Sequence, residues 1–186
     1  MKKNIKIFST IIMLLAACKK DKDLKPVPPP NTNPPELITG IRLVFKDSAN
    51  PSVISYALFA DPDGPGGNNP STIDSVLLLK NKTYWVSVQV LDHTKNPADT
   101  LTDEIWNERN EHQFFYHFNN LNVNFSYLDF DSNNLPVGIS TKWKTNNTGS
   151  VGSVRVVLKH QTNGTKNGTE PPGETDADVT FPASVK

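Results

Sequence analysis

The sequence predicts an all-β domain, an antiparallel β-sandwich (Ig-like or related) of about 8–9 strands with one short helix. Two observations predict it. Apolar residues alternate with polar ones at a period of two in run after run, and Gly, Asn, Asp and Pro gather between the runs. Alternation of that kind leaves each sheet one dry and one wet face, as antiparallel sheets allow.

The strands follow in order. Ile41, Leu43 and Phe45 alternate with Arg42 and Lys46. Ile54, Tyr56 and Leu58 make the second strand, and Ile73 to Leu79 the third. Tyr84, Val86, Val88 and Val90 alternate with Ser87 and Gln89. Phe114-Phe115-Tyr116 is a short aromatic run, and Leu121, Val123, Phe125 and Tyr127 alternate with Asn122, Asn124 and Ser126. Val137, Ile139, Thr141 and Trp143 face away from Ser140, Lys142 and Lys144. Val154, Val156 and Leu158 oppose Arg155 and Lys159, and Val179 with Phe181 closes the set. One segment breaks the pattern. Thr100 to Asn110 reads as a helix, with Thr100 and Asp103 as a capping box and Leu101 and Ile105 on its inward face.

The domain stands behind two other segments. Lys2, Lys3 and Lys6 precede a short apolar core, Ile7 to Leu15, and the small residues Ala16 and Ala17 lead to Cys18, the sole cysteine. Residues 1–17 therefore read as a signal peptide, too short to span a bilayer as a permanent helix. Leu15-Ala16-Ala17-Cys18 resembles a bacterial lipoprotein lipobox, which implies acylation of Cys18 and a membrane anchor in the outer membrane of a cell envelope. Residues 18–36 carry Lys19 to Lys25 and then six prolines between Pro26 and Pro35, a composition for an extended tether. Residues 37–186 are left for the sandwich. Whether it faces the periplasm or the cell surface is open, because lysines interrupt the acidic residues after Cys18.

Charge excludes little beyond nucleic acid. Without residues 1–17 the chain keeps 16 basic against 19 acidic residues, net −3, which gives no support for a polyanion-binding protein of the DNA or RNA kind. No Gly-x-Ser-x-Gly elbow or His-Glu-x-x-His pair is present, and Gly64 to Gly67 lacks the ending of a phosphate loop. Acids are numerous enough for a hydrolase pair, but nothing singles out two of them.

Three sets of residues remain as candidates. Asp129, Asp131 and Asn133 alternate side-chain oxygens in a loop, a spacing that suits Ca²⁺, although Asp, Asn and Gly build tight turns without an ion. Glu104, Glu108, Glu111 and His112 would share one stripe of the helix, a carboxylate–imidazole ridge for a divalent metal. His93, His117 and His160 are scattered, so any larger ligand set would have to be assembled by the fold. Trp85 shares its strand face with Ser87 and Gln89 and is the aromatic expected at the surface for ligand stacking, whereas Trp143 has core parity.

Glu111-His112-Gln113-Phe114-Phe115-Tyr116, Leu158-Lys159-His160-Gln161 and Gly173 to Phe181 together resemble a group of small Bacteroidota cell-envelope lipoproteins with a β-rich domain and no established activity. Asp47-Ser48-Ala49, Asp74-Ser75-Val76 and Asp99-Thr100-Leu101 resemble the O-glycosylation triplets of exported proteins in such organisms. The resemblance implies an address and no functional residue except Cys18. The expected function is a non-enzymatic lipoprotein that contacts a ligand or an outer-membrane protein partner such as a nutrient-uptake receptor. It requires no cofactor. The alternatives are a calcium- or transition-metal-binding module and a carboxylate-based hydrolase.

Overall fold

A computed structural model describes residues 37–64, 66–170 and 174–186. The signal peptide, Cys18 and the tether lie outside the described residues. The described residues belong to one compact unit.

The unit is all-β, two sheets packed as a sandwich. Its elements are β1 (Gly40–Asp47), β2 (Asn50–Ala60), β3 (Thr72–Ile73), β4 (Val76–Leu78), β5 (Thr83–Asp92), β6 (Asp99–Thr100), α1 (Thr102–Asn107), β7 (His112–Asn119), β8 (Val123–Tyr127), β9 (Ser140–Thr145), β10 (Ser150–His160) and β11 (Thr175–Val185). The first sheet runs β3-β2-β1-β5-β9-β8, with β6 added beside β5. The second runs β4-β11-β10-β7.

Alternation places the core as the sequence predicts. Ile41, Leu43, Phe45, Val86, Val88, Val90 and Trp143 point inward from the first sheet and are buried. Phe114, Val154, Val156, Leu158 and Phe181 meet them from the second. Trp143 is the hub. Its ring lies edge-on to Phe45, Tyr116 and Phe118 at 5.3, 5.9 and 4.9 Å between centroids, joining the two sheets.

Three local expectations change. The run from Ile73 to Leu79 is two strands on different sheets. The Asp74 amide donates to the Leu58 carbonyl and its carboxylate accepts from the Leu58 amide, so Asp74 finishes the first sheet. The chain then crosses over, and β4 joins β11 in the one parallel pairing among the described strands. The run from Val137 to Trp143 is strand only from Ser140, because Gly138 holds φ +89°. A Cβ there would come within 2.9 Å of the Phe114 carbonyl oxygen, so the chain needs glycine to pass.

The helix is also shorter than expected. Thr100 pairs with Leu91 in β6 and is no cap, and the N-cap is Leu101, without a side-chain hydrogen bond. Instead the Thr102 hydroxyl accepts the Val90 amide at 2.9 Å, which ties the helix start to β5. Asp103 and Glu104 do occupy the first turn, and Leu101 and Ile105 are buried as their spacing predicts. The structure adds a break in register between β10 and β11. Leu158 faces Ala177 and Lys159 faces Thr175, so Asp176 is an extra residue, a β-bulge.

Candidate metal centre

That bulge lies where three other elements end. Helix α1 stops at Asn107, Glu108 is its C-cap, and the chain enters β7 at His112. The His112 amide donates to the Glu108 carbonyl at 3.2 Å, which folds the turn back on itself. Glu108 and His112 therefore meet through a turn, not through a helical repeat. His160 is the last residue of β10 and stands directly opposite His112 in the β7–β10 register. Paired residues share a face, so the two imidazoles stack at 4.3 Å with 14° between their planes.

Acids surround the pair. His112 Nδ1 lies 3.7 Å from Glu108 Oε2 and 3.4 Å from the Glu108 carbonyl oxygen. His112 Nε2 lies 3.3 Å from Asp176 Oδ2. His160 Nε2 lies 3.6 Å from Glu111 Oε2. In regular alternation Asp176 would point outward like Asp178. The bulge turns it inward, where its side chain keeps only 4% of its accessible surface. The exposure is graded across the cluster: His112 is fully buried, His160 is at 9%, Glu108 at 31% and Glu111 at 42%. One side of the cluster is thus core and the other opens to solvent.

Glu108, His112 and His160 can coordinate a metal ion together. One ligand atom from each lies within 4.8 Å of the other two. Ligands of a tetrahedral zinc ion at about 2.0–2.1 Å sit about 3.3 Å apart, so an ion would draw these atoms inward by about an ångström or less. Two imidazole nitrogens with one carboxylate suit Zn²⁺, Cu²⁺ or Ni²⁺, and Ca²⁺ prefers six or more oxygens.

Of the stripe read from the sequence, Glu108 and His112 come together, Glu111 joins by reaching His160, and Glu104 stays exposed on the helix. Helical spacing no longer applies once the helix ends at Asn107. His160 and Asp176 were not in that stripe. His112 opens one strand and His160 ends another, the positions that face each other at the shared end of an antiparallel pair.

The carboxylates of Asp129 and Asp131 hold a turn, and Asn133 enters it through its backbone amide. Asp129 accepts the Gly138 and Ser140 amides at 2.7 Å each, one on each oxygen. Burial pushes its carboxyl above the usual range against the pull of those amides. Asp131 Oδ1 accepts the Asn133 and Leu135 amides, and Asp131 Oδ2 pairs with Lys166 Nζ at 2.9 Å. Asp131 thus already carries a cationic partner, the Lys166 ammonium. Trp85 is 45% exposed and Trp143 fully buried, as strand parity predicts.

No family model, no curated protein and no solved structure matches this chain.

Proposed function

We propose that this chain is a transition-metal-binding module, non-enzymatic and carried on a lipid anchor of the cell envelope. The observation that supports it is the meeting of Glu108, His112 and His160 at one strand end, with Asp176 turned in by a bulge beside them. The arrangement resembles no accident of surface acids, because its central imidazole has no solvent exposure.

The roles follow from the geometry. His112 Nε2 faces Asp176 Oδ2 at 3.3 Å and Nδ1 faces Glu108, so a carboxylate stands on each side of the ring and would orient it toward an ion. His160 supplies the second nitrogen and Glu108 the carboxylate. Glu111, the most exposed of the acids, or a water molecule completes the shell. The ion would neutralise the charge of an acid cluster and tie α1, β7 and β10 together, so binding would also stabilise the fold.

Zn²⁺ titrated into the chelator-treated full chain is expected to bind at one equivalent and to raise Tm, whereas Ca²⁺ leaves Tm unchanged. His160→Ala is the cleaner variant, because His160 retains some exposure while His112 is core. It should abolish the Zn²⁺-dependent rise in Tm, and Asp176→Asn should weaken affinity by about 10–100-fold. Native mass spectrometry that finds no bound Zn²⁺, Cu²⁺ or Ni²⁺ would sink the proposal.

The anchor has its own test. Metabolic labelling with a palmitate analogue should mark the wild-type chain and leave Cys18→Ala unlabelled. Equal labelling of both removes the lipid from the reading.

A further inference from the structure

A second surface, independent of the histidine cluster, lies on the outer face of the first sheet. Inward positions of β1, β5 and β9 build the core, so their outward positions form one continuous face. Those outward positions carry Arg42, Lys46, Lys142 and Lys144 and no carboxylate. Asp47 and Asp92, the only acids on these three strands, fall on inward parity. None of the four basic residues is ion-paired among the described residues, while Lys82, Lys95, Arg155 and Lys166 all have carboxylate partners. A chain with as many acids as bases has thus collected four unpaired cations on one face.

Trp85 sits in the middle of this face. Register places Lys46 opposite it on β1 and Lys142 opposite it on β9, so a lysine flanks it on each neighbouring strand, about 5 Å away between backbones. Below the indole is a shallow depression lined by Lys46, Trp85, Val86, Ser87 and Ser140. Ser87 and Ser140 are cross-strand partners on the same face, and both line the depression with Trp85. Tyr56, 58% exposed, stands on the same face of the sheet one strand beyond β1.

We infer that this face binds an acidic glycan, a polysaccharide bearing uronate or sulfate groups. Each part of the ligand has a counterpart. The flat indole offers a stacking surface to the C–H face of a pyranose ring. The serine hydroxyls donate to and accept from ring hydroxyls. The flanking lysines attract carboxylate or sulfate on the neighbouring residues of the chain, and Arg42 and Lys144 extend the positive track along the strands. An anionic membrane is the competing partner for a basic, aromatic face. Membrane-seeking helices and loops present apolar side chains that project into the acyl region. Here the exposed indole lies on a sheet surface and shares its depression with two serines, which fits a sugar ring better.

Affinity electrophoresis of the full chain tests the inference, with polygalacturonate and a sulfated galactan as acidic probes and unsubstituted galactan as the neutral one. The acidic gels should retard the wild type and the neutral gel should not. Trp85→Ala should bind the acidic polymers about tenfold more weakly, and Trp85→Tyr should recover part of that loss. Lys142→Gln should weaken binding about threefold and flatten its salt dependence. Retardation of Trp85→Ala equal to wild type, with its circular dichroism unchanged, reduces the effect to ion exchange and overturns the site. Equal retardation by neutral galactan overturns the acidic specificity. Binding to phosphatidylglycerol vesicles without binding to either acidic polymer assigns the face to a membrane and overturns the glycan. His160→Ala should bind the glycans as the wild type does, so failure of the metal reading leaves this one standing.

Discussion

Trp143→Ala is expected to destabilise the domain by about 4 kcal/mol, a large part of what holds a domain of this size together. The indole has no solvent exposure and is the largest side chain so buried. Phe45 approaches it from its own sheet and Tyr116 and Phe118 from the facing one. Truncation therefore removes the contact that both sheets share, and ring edges fixed by their own strands cannot close the void completely. A polar loss adds to the cavity. The indole Nε1–H donates to the Thr141 hydroxyl at 3.0 Å, and that hydroxyl donates onward to the Val86 carbonyl at 3.2 Å. Trp143→Phe should recover much of the packing but leave that hydroxyl without its donor. Urea unfolding followed by far-ultraviolet circular dichroism measures both variants. A loss below about 1 kcal/mol for Trp143→Ala would contradict the hub role. Trp85→Ala, at the exposed position on the outer face of the same sheet, is the matched control and should change stability little.

The opposite fates of Trp85 and Trp143 were legible in the sequence, and the reason is physical. A strand side chain has two faces to choose from, and its neighbours at every second position reveal the choice. Ser87 and Gln89 announce the wet face of β5, as Thr141 and Ile139 announce the dry side of Trp143. Alternation says nothing about which strands pair. Ile73 and Val76 read as one run, yet they belong to different sheets because Asp74 closes the edge of β2 with its own amide and carboxylate. The candidate site was half legible for the same reason. Glu108 and His112 are close in sequence, so a local reading finds them, although through a helical stripe that the chain does not form. His160 comes from the far end of β10, and Asp176 faces inward only because of one extra residue in β11. Register and bulges are decided between strands distant in sequence, and a strand's own residues do not announce them.

Lys166→Met should cost about 3 kcal/mol and also loosen the Glu108–His112–His160 cluster. Lys166 and Asp131 keep 1% and none of their side-chain surface, and their charged atoms are 2.9 Å apart. Lys166 Nζ also donates to the Arg109 carbonyl at 2.7 Å. Arg109 lies between Glu108 and Glu111, so this one ammonium holds the loop after β10 against the turn that carries two of the acids. Methionine is of similar length and keeps the stem packed, but it leaves a carboxylate buried without its counter-charge. Acidity separates the electrostatic part from the packing part. Burial pushes the Asp131 carboxyl up, and the Leu135 amide, Lys166 and the Asn133 amide together outweigh it, holding the group below its ordinary value. Burial conversely holds Lys166 below the usual lysine range, with Asp131 pulling it back. A depressed carboxyl contributes stability that is present above its unfolded-state pKa and is lost as pH falls through the lower native one. The gap between wild type and Lys166→Met should therefore be full at pH 7 and narrow as pH falls below about 4. A gap that stays constant from pH 7 to pH 3 would mean that the lysine acts through its methylenes alone. Under the metal-binding proposal the same variant should bind Zn²⁺ several-fold more weakly at pH 7, while saturating Zn²⁺ restores part of its lost Tm, since the ion reconnects the turn to β10 from the other side.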